Sequence, residues 1–256
     1  MKQEVLNLNK TIIWGHRGTG FTGIQNTFSS FKNAIDMGVD GIKTETKLSK
    51  EGEVVLSFFN TLKINGEEFP IQELTIEEIK KFKYENNKSI PTLREVFEAF
   101  KNSDTRYNFD IANPKEGIQI VKTAKEYGLQ DHIELAKPST RPDSLSDFFT
   151  EIRNFDKNVM LVNSVFLKHS VIEDKHFELD DMRKLNINGI NVNYNYANFD
   201  IFKRVKDHGF KFCVWGVLFK RSMKKLLTMK YKGEYIDAMM SNQPGRLVKF
   251  RNEFQN

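Results

Sequence analysis

The stretch VDGIKTETKLSKEGEVVLSF, residues 39–58, holds two β-rich runs with only six residues between them. Residues 39–46 and 53–58 both read as strands, rich in β-branched side chains. The connection KLSKEG is too short for a crossover between parallel strands, which takes about a dozen residues. The two runs are therefore predicted to pair antiparallel, turning around Lys50-Glu51-Gly52. Elsewhere along the chain, β-rich runs alternate with helix-period runs, which implies a parallel sheet with helical crossovers. Counting the hairpin as an extension of the second strand leaves eight strands. The predicted fold class is α/β, a (β/α)8 TIM barrel with the hairpin rising from its C-terminal rim. A doubly wound open sheet is the alternative that periodicity leaves open.

The other predicted strands are 11–15, 106–111, 132–137, 158–163, 188–193, 210–215 and 235–240. The predicted helices are 26–37, 75–84, 92–102, 115–128, 143–154, 178–186, 197–208 and 220–231. In the first helix Phe28, Phe31 and Ile35 fall at helical spacing, and Gly38 follows as a C-terminal stop. Thr92 and Glu95 form a capping box after Pro91. Residues 59–91 read as a small insertion over one edge of a single domain spanning 1–256.

A chain of 256 residues can bury a sizeable core. Its net charge of +5 is mild and no long Lys/Arg run appears, so no nucleic-acid partner is expected. The single Cys213 allows no intramolecular disulfide and reads as a buried, inert thiol in FKFCVWGVLF. That points to a cytoplasmic location. MKQEVLNLNK has no apolar core of a signal peptide, and no stretch is apolar enough to predict a membrane span.

In such a barrel, chemistry gathers at the C-terminal strand ends. The first predicted strand runs into His16-Arg17-Gly18, and Asn26-Thr27 opens the helix that follows. On the second strand, alternation puts Lys43 and Glu45 on the inner face and Thr44 outside. The next barrel strand offers Asn108 and Asp110 at the same period, and later ends carry Lys137, Trp215 and Ser241-Asn242. Each alone fits a plainer role: a surface loop for His16-Arg17, a charge pair for Lys43 and Glu45, core for Trp215. The glycines of TGFTG match neither the Walker A loop nor the dinucleotide fingerprint. It is the co-occurrence of polar ends with complementary charge that suggests a site.

These residues resemble the glycerophosphodiester phosphodiesterase family. The matching pieces are HRG at 16–18, NT at 26–27, LSKEGEVV at 48–55, ELTIEEIKKF at 73–82, IPTLREVFEAF at 90–100, VW at 214–215 and SNQPGRL at 241–247. The resemblance covers nearly the whole chain. It implies a (β/α)8 barrel that hydrolyses glycerophosphodiesters to glycerol phosphate and an alcohol, usually with a divalent cation. It also implies two histidines as general acid and base, an arginine on the phosphate, and three carboxylates on the metal.

The chain departs from that pattern at several positions. His16 and Arg17 stand where the family has its first histidine and arginine. The glutamate of the helix-opening E-N-T is Gln25, and the E-x-D pair is Lys43-Thr44-Glu45. The second histidine and its aspartate are Phe58-Phe59. The next-strand glutamate is Asp110, the lysine two residues on is Ala112, and the late aspartate is Asn242. Among the remaining histidines, His132 and His208 fall on the wrong barrel face, whereas His169 and His176 lie in a loop that could supply a substitute.

Lys43 lies between Glu45 and Asp110, in the charge position of the metal, so no cofactor is expected; Mg²⁺ or Ca²⁺ held weakly by Glu45 and Asp110 is the alternative. His16 and Arg17 are the remaining catalytic candidates. Lys43, Trp215, Lys137 and Asn26 are the ligand-binding candidates, with Trp215 as an apolar wall. Phe58 is expected to pack over the mouth. The partner is a small phosphate ester or a phospholipid headgroup, with ordinary metal-dependent hydrolysis weak or absent. The alternatives are an active phosphodiesterase with a rebuilt site and an interaction protein on a barrel scaffold.

Overall fold

The structure, a computed structural model, describes residues 10–165 and 173–255. His169 lies outside the described residues. The first two barrel strands are β1 (Ile12–His16) and β2 (Gly41–Leu48). β2 outruns its barrel neighbours and pairs antiparallel with β3 (Val54–Leu56), Thr46 facing Leu56 and Leu48 facing Val54. A second hairpin, β4 (Thr61–Ile64) with β5 (Glu67–Pro70), follows it. The chain then adds β6 (Arg106–Asp110), β7 (Ile133–Lys137), β8 (Met160–Val165), β9 (Gly189–Asn193) and β10 (Lys211–Trp215). A two-residue ribbon, β11 (Lys230–Tyr231) with β12 (Glu234–Tyr235), precedes the last barrel strand, β13 (Ala238–Ser241).

The sheet runs β1, β13, β10, β9, β8, β7, β6, β2, and β1 also pairs with β2, so the eight parallel strands close into a barrel. The open-sheet alternative is thereby excluded. Around the barrel lie α1 (Phe28–Asp36), α3 (Leu93–Phe100), α4 (Pro114–Glu126), α5 (Leu145–Phe155), α6 (Leu179–Lys184), α7 (Phe199–Asp207), α8 (Lys220–Leu227) and α9 (Pro244–Phe254). The short α2 (Ile76–Lys81) belongs to the segment after β5. Among the described residues, no helix is long and apolar enough to cross a membrane.

Alternation along the strands sorts the core. Outward residues such as Ile13, Ile42, Phe109, Leu135 and Leu161 pack on the helices. Inward, Trp14, Ala238 and Met240 make a small apolar plug with Cys213 and Trp215 against it. A third cluster, Val55, Leu62, Ile71, Leu74, Ile79 and Ile90, holds residues 61–90 against the hairpin. The Thr92 capping box forms as the spacing predicts.

Several boundaries differ from expectation. The first helix begins only at Phe28, because Asn26 is left-handed (φ 53°) and Thr27 is the cap. The helix predicted to 231 stops at Leu227; Lys232 and Gly233 are both left-handed and turn the β11–β12 ribbon. Helix α9 was not expected. Its Pro244-Gly245 opening reads as a loop, although proline is favoured in a first helical turn. The Cys213 residue is partly exposed, while its thiol is enclosed. It lines a cavity of about 860 Å³ at the N-terminal end of the barrel, away from the strand ends that carry the site. Burial there pushes its thiol well above the usual range, which keeps it an inert thiol.

Candidate active site

β1 delivers His16 to the mouth, in register with Lys43 of β2. The chain then reverses through Arg17, which is left-handed at φ 54°, and Gly18 at φ 90°. A non-glycine residue held there stores strain, and such strain gathers at functional sites. The turn is pinned by hydrogen bonds from the Arg17 N–H to the Lys43 carbonyl at 2.6 Å and from the Asn26 N–H to the Arg17 carbonyl at 3.1 Å.

The His16 Nδ1 donates to Asn242 Oδ1 at 2.8 Å. That turns Nε2 toward Glu45, 3.9 Å from its Oε1. Arg17 grips both Glu45 oxygens, and its Nη1 donates to Gln25 Oε1 at 3.1 Å. Asn26 is buried, donates to Glu45 Oε2 at 3.3 Å and accepts from the Thr44 hydroxyl at 2.8 Å. Burial alone would raise the Glu45 carboxyl. The hydrogen bonds and charges of His16 and Arg17 outweigh it and hold the group well below the usual carboxylate range.

Lys43 is almost fully buried, and its ammonium lies against the Asp110 carboxylate. An ammonium carries three protons, and this one ion pair does not spend them all. The Trp215 indole N–H, on the same inner face, is buried and has no hydrogen-bond partner among the described residues. Buried donors are ordinarily satisfied. The open Trp215 N–H and the Lys43 protons not given to Asp110 suit the oxygens of an anion.

Two carboxylates thus meet two built-in cations. A divalent ion would need Glu45 freed from Arg17 and Asp110 freed from Lys43, and it would then sit beside a buried ammonium. Among the described residues, no three His, Cys, Asp or Glu side chains converge as a metal centre. The residues present do not fit the divalent ion that the resemblance implies.

Other expected residues fall elsewhere. Lys137 shares the helix-facing side of β7 with Ile133 and Leu135 and donates to the Arg141 carbonyl at 3.1 Å. It does not join His16 and Lys43. Burial pulls its ammonium down. Asn26 positions Glu45 and is too enclosed to meet a ligand first. Phe58 does not pack into the mouth. β3 ends at Leu56, and Phe58 is 54% exposed, its ring 3.9 Å from the Arg17 guanidinium carbon. Phe59 is also exposed and touches Phe82 and Tyr84. Trp215 is half-buried beside the plug, and Ala112 offers no side-chain donor.

No described histidine replaces the one missing at Phe58. His132 bonds the Thr105 carbonyl below β6, and His208 pairs with Asp174 at the far end of α7. His176 lies in the turn at Asp174–Phe177, where its Nδ1 accepts the Glu173 N–H at 3.0 Å. Sequence reasoning missed Glu116 of α4. It is buried, accepts from the Thr46 hydroxyl and the Ala112 N–H, and caps its own helix with Asn113. Burial pushes its carboxyl up. The spacing Asn113-Pro114-x-Glu116 after a strand was the available signal.

The pattern of the Glycerophosphoryl diester phosphodiesterase family matches residues 16–241. A curated glycerophosphodiester phosphodiesterase of Caldanaerobacter subterraneus subsp. tengcongensis is 26% identical over 259 residues, covering 93% of this chain and 97% of that protein. The crystal structure of a glycerophosphodiester phosphodiesterase from Parabacteroides distasonis superposes with a TM-score of 0.75 at 19% identity, over 97% of this chain and 99% of that one. An Oleispira antarctica phosphodiesterase, solved with the product sn-glycerol-3-phosphate, gives a TM-score of 0.76 at 17% identity, over 95% and 97%.

Proposed function

The chain belongs to the glycerophosphoryl diester phosphodiesterase family, and from that premise we propose that its mouth binds a glycerophosphodiester or a smaller phosphate ester while ordinary metal-dependent hydrolysis is weak or absent. His16, Arg17 and Lys43 are the binding groups, with Trp215 beside them. The Oleispira antarctica structure supports a small phosphate ester as ligand, since that relative of the same fold holds glycerol 3-phosphate.

The observation that carries this reading is the Lys43 ammonium against Asp110. A fixed ammonium supplies positive charge where the family's pattern implies a metal, and the protons it does not give to Asp110 are donors for a phosphate oxygen. It cannot exchange ligands, and it cannot lower the pKa of a bound water as a divalent ion does. Phe58 cannot transfer a proton either. An acid–base group is typically worth about 10²–10⁴-fold in rate. Both deficits fall on the same step.

A second reading draws on Asn242. By fixing Nδ1, it leaves His16 Nε2, beside Glu45, as the sole acid–base in a slower, metal-free cleavage. A hydrolysis assay on glycerophosphodiesters, with and without Mg²⁺ or Ca²⁺, separates the two, and calorimetric titration with glycerol 3-phosphate tests the shared premise. Binding without metal-stimulated turnover is the expected result. Robust turnover stimulated by Mg²⁺ would overturn the first reading. Absence of binding would leave an interaction protein. The single cysteine favours a cytoplasmic setting for this activity.

A further inference from the structure

Four phenylalanines stand far out of the protein around one arc of the mouth: Phe21 and Phe219 at 63% exposure, Phe58 at 54% and Phe59 at 44%. They follow the ends of β1, β10 and the β2–β3 hairpin, so all sit on the C-terminal face. The strands concerned are consecutive in the barrel, β10, β13, β1, β2 and β3. Hydrogen bonds tie these loops together at the rim. The Phe21 N–H donates to the Asn242 carbonyl at 3.0 Å and the Val217 N–H to the Met240 carbonyl at 3.2 Å. Scattered exposed apolar residues need no explanation, but several on the rim of one face call for one.

The charge next to Phe219 is basic: Lys220 and Arg221 follow it directly, and no acidic residue lies between Gly216 and Gly233. Helix α8 opens on this face directly after Phe219, with Lys220 and Arg221 exposed in its first turn and no side chain capping it. Exposed aromatic rings next to a basic helix are the composition that binds an anionic lipid–water interface. Phe58 links the arc to the site, since its ring lies on Arg17.

We propose that this arc docks on an anionic lipid surface, so that the phosphodiester taken at the mouth belongs to a lipid. The proposal rests on the mouth being the ligand site, and it names the class of ligand. Phe21 and Phe219 enter the interfacial layer, while Lys220 and Arg221 meet anionic headgroups. Phe58 and Phe59 border the path from the surface to His16 and Lys43. The bound phosphodiester then keeps its polar end in the barrel and its acyl end along the phenylalanines.

The test is sedimentation of the full chain with vesicles of phosphatidylcholine alone or mixed with phosphatidylglycerol, at about 0.1 M salt. Wild type should sediment with the mixed vesicles and little with phosphatidylcholine. The Phe21→Ser/Phe219→Ser variant should lose at least ~10-fold in partition. It should keep its thermal midpoint and its affinity for glycerol 3-phosphate, because neither ring touches the site. Lys220→Ser/Arg221→Ser should remove the preference for phosphatidylglycerol. Wild type that ignores mixed vesicles, or a phenylalanine variant that sediments equally well, would overturn the proposal. So would a wild-type dimer, seen by analytical ultracentrifugation, that the same variant makes monomeric. If vesicles bind as expected but glycerol 3-phosphate does not, docking stands and the ligand reading of the mouth fails.

Discussion

The guanidinium of Arg17 holds both carboxylate oxygens of Glu45, with Nε 2.9 Å from Oε1 and 3.0 Å from Oε2, and Nη2 2.6 Å from Oε1. Charge-assisted pairs of this kind are the stronger hydrogen bonds. Here the pair spans β2 and the left-handed turn after β1, so it fixes the mouth as well as its charge. The Glu45 carboxyl ionises below its ordinary value of 4.5. The stabilisation from this pair is therefore complete above about pH 4.5 and is lost as pH falls below it toward the depressed native value. Glu45→Gln is expected to destabilise the protein by about 1.5–3 kcal/mol at pH 7, with the gap to wild type narrowing at pH 3. Urea midpoints at the two pH values measure this; an unchanged gap would mean that the pair does not titrate as described.

Phe58 bears on stability in the opposite sense. Its ring covers Arg17 but is mostly in water. A buried phenylalanine truncated to alanine costs about 3–5 kcal/mol. Phe58→Ala is expected to cost less than about 1 kcal/mol, the scale of an exposed cation–π contact. A shift of the denaturation midpoint corresponding to 3 kcal/mol or more would show that the ring is enclosed after all.

Gly20 is the hidden support of His16. At φ 62° it lies so close to Asn242 that an added Cβ would come within 2.3 Å of the carbonyl oxygen and 2.4 Å of Cα. Gly52 has φ 79° and nothing within 4 Å of such a Cβ. Gly52→Ala therefore carries only the left-handed penalty, about 1–2 kcal/mol. Gly20→Ala is expected to cost clearly more, and to weaken glycerol 3-phosphate binding by moving Asn242 off His16 Nδ1. Thermal melts of both variants give the comparison. Equal losses would deny Gly20 its role.

How far the sequence leads is visible in single residues. The short connection 47–52 led directly to the hairpin, and alternation put Lys43, Glu45 and Asp110 on one inner face, because period-2 patterning is local and strict. The same alternation, applied at β7, places Lys137 outside with Leu135; taking the strand end alone led to the wrong face. Phe58 failed for a different reason. Alternation assumes a continuing strand, and this one gives way at Ser57, whose hydroxyl accepts the Phe59 N–H at 3.1 Å. The hold of Asn242 on His16 joins residues 226 positions apart and has no local pattern to betray it.

The last prediction rebuilds the site. If the frame persists and only its groups have changed, restoring them should restore chemistry. Lys43→Glu removes the buried ammonium and places a third carboxylate beside Glu45 and Asp110, a donor set that suits Mg²⁺ or Ca²⁺. Phe58→His returns an acid–base group over Arg17, close to where the hairpin brings position 57 onto Glu45 through the Ser57 N–H at 3.1 Å from its carbonyl. Gln25→Glu gives Arg17 a second carboxylate in place of the amide oxygen it now uses, which loosens its hold on Glu45. Each change alone is expected to do little. A metal without the second base leaves the step blocked, as does the base without the metal, and groups that act as a unit are strongly non-additive. The triple variant should hydrolyse glycerophosphodiesters at least ~10²-fold faster than wild type, and only with a divalent ion present. Its thermal midpoint should rise on adding Mg²⁺ or Ca²⁺, a shift that wild type lacks. Wild type with an equal metal-induced shift would refute the claim that Lys43 and Arg17 already occupy the carboxylates. A folded triple variant that binds the ion yet stays inert would place the remaining deficit in the position of the Phe58 loop.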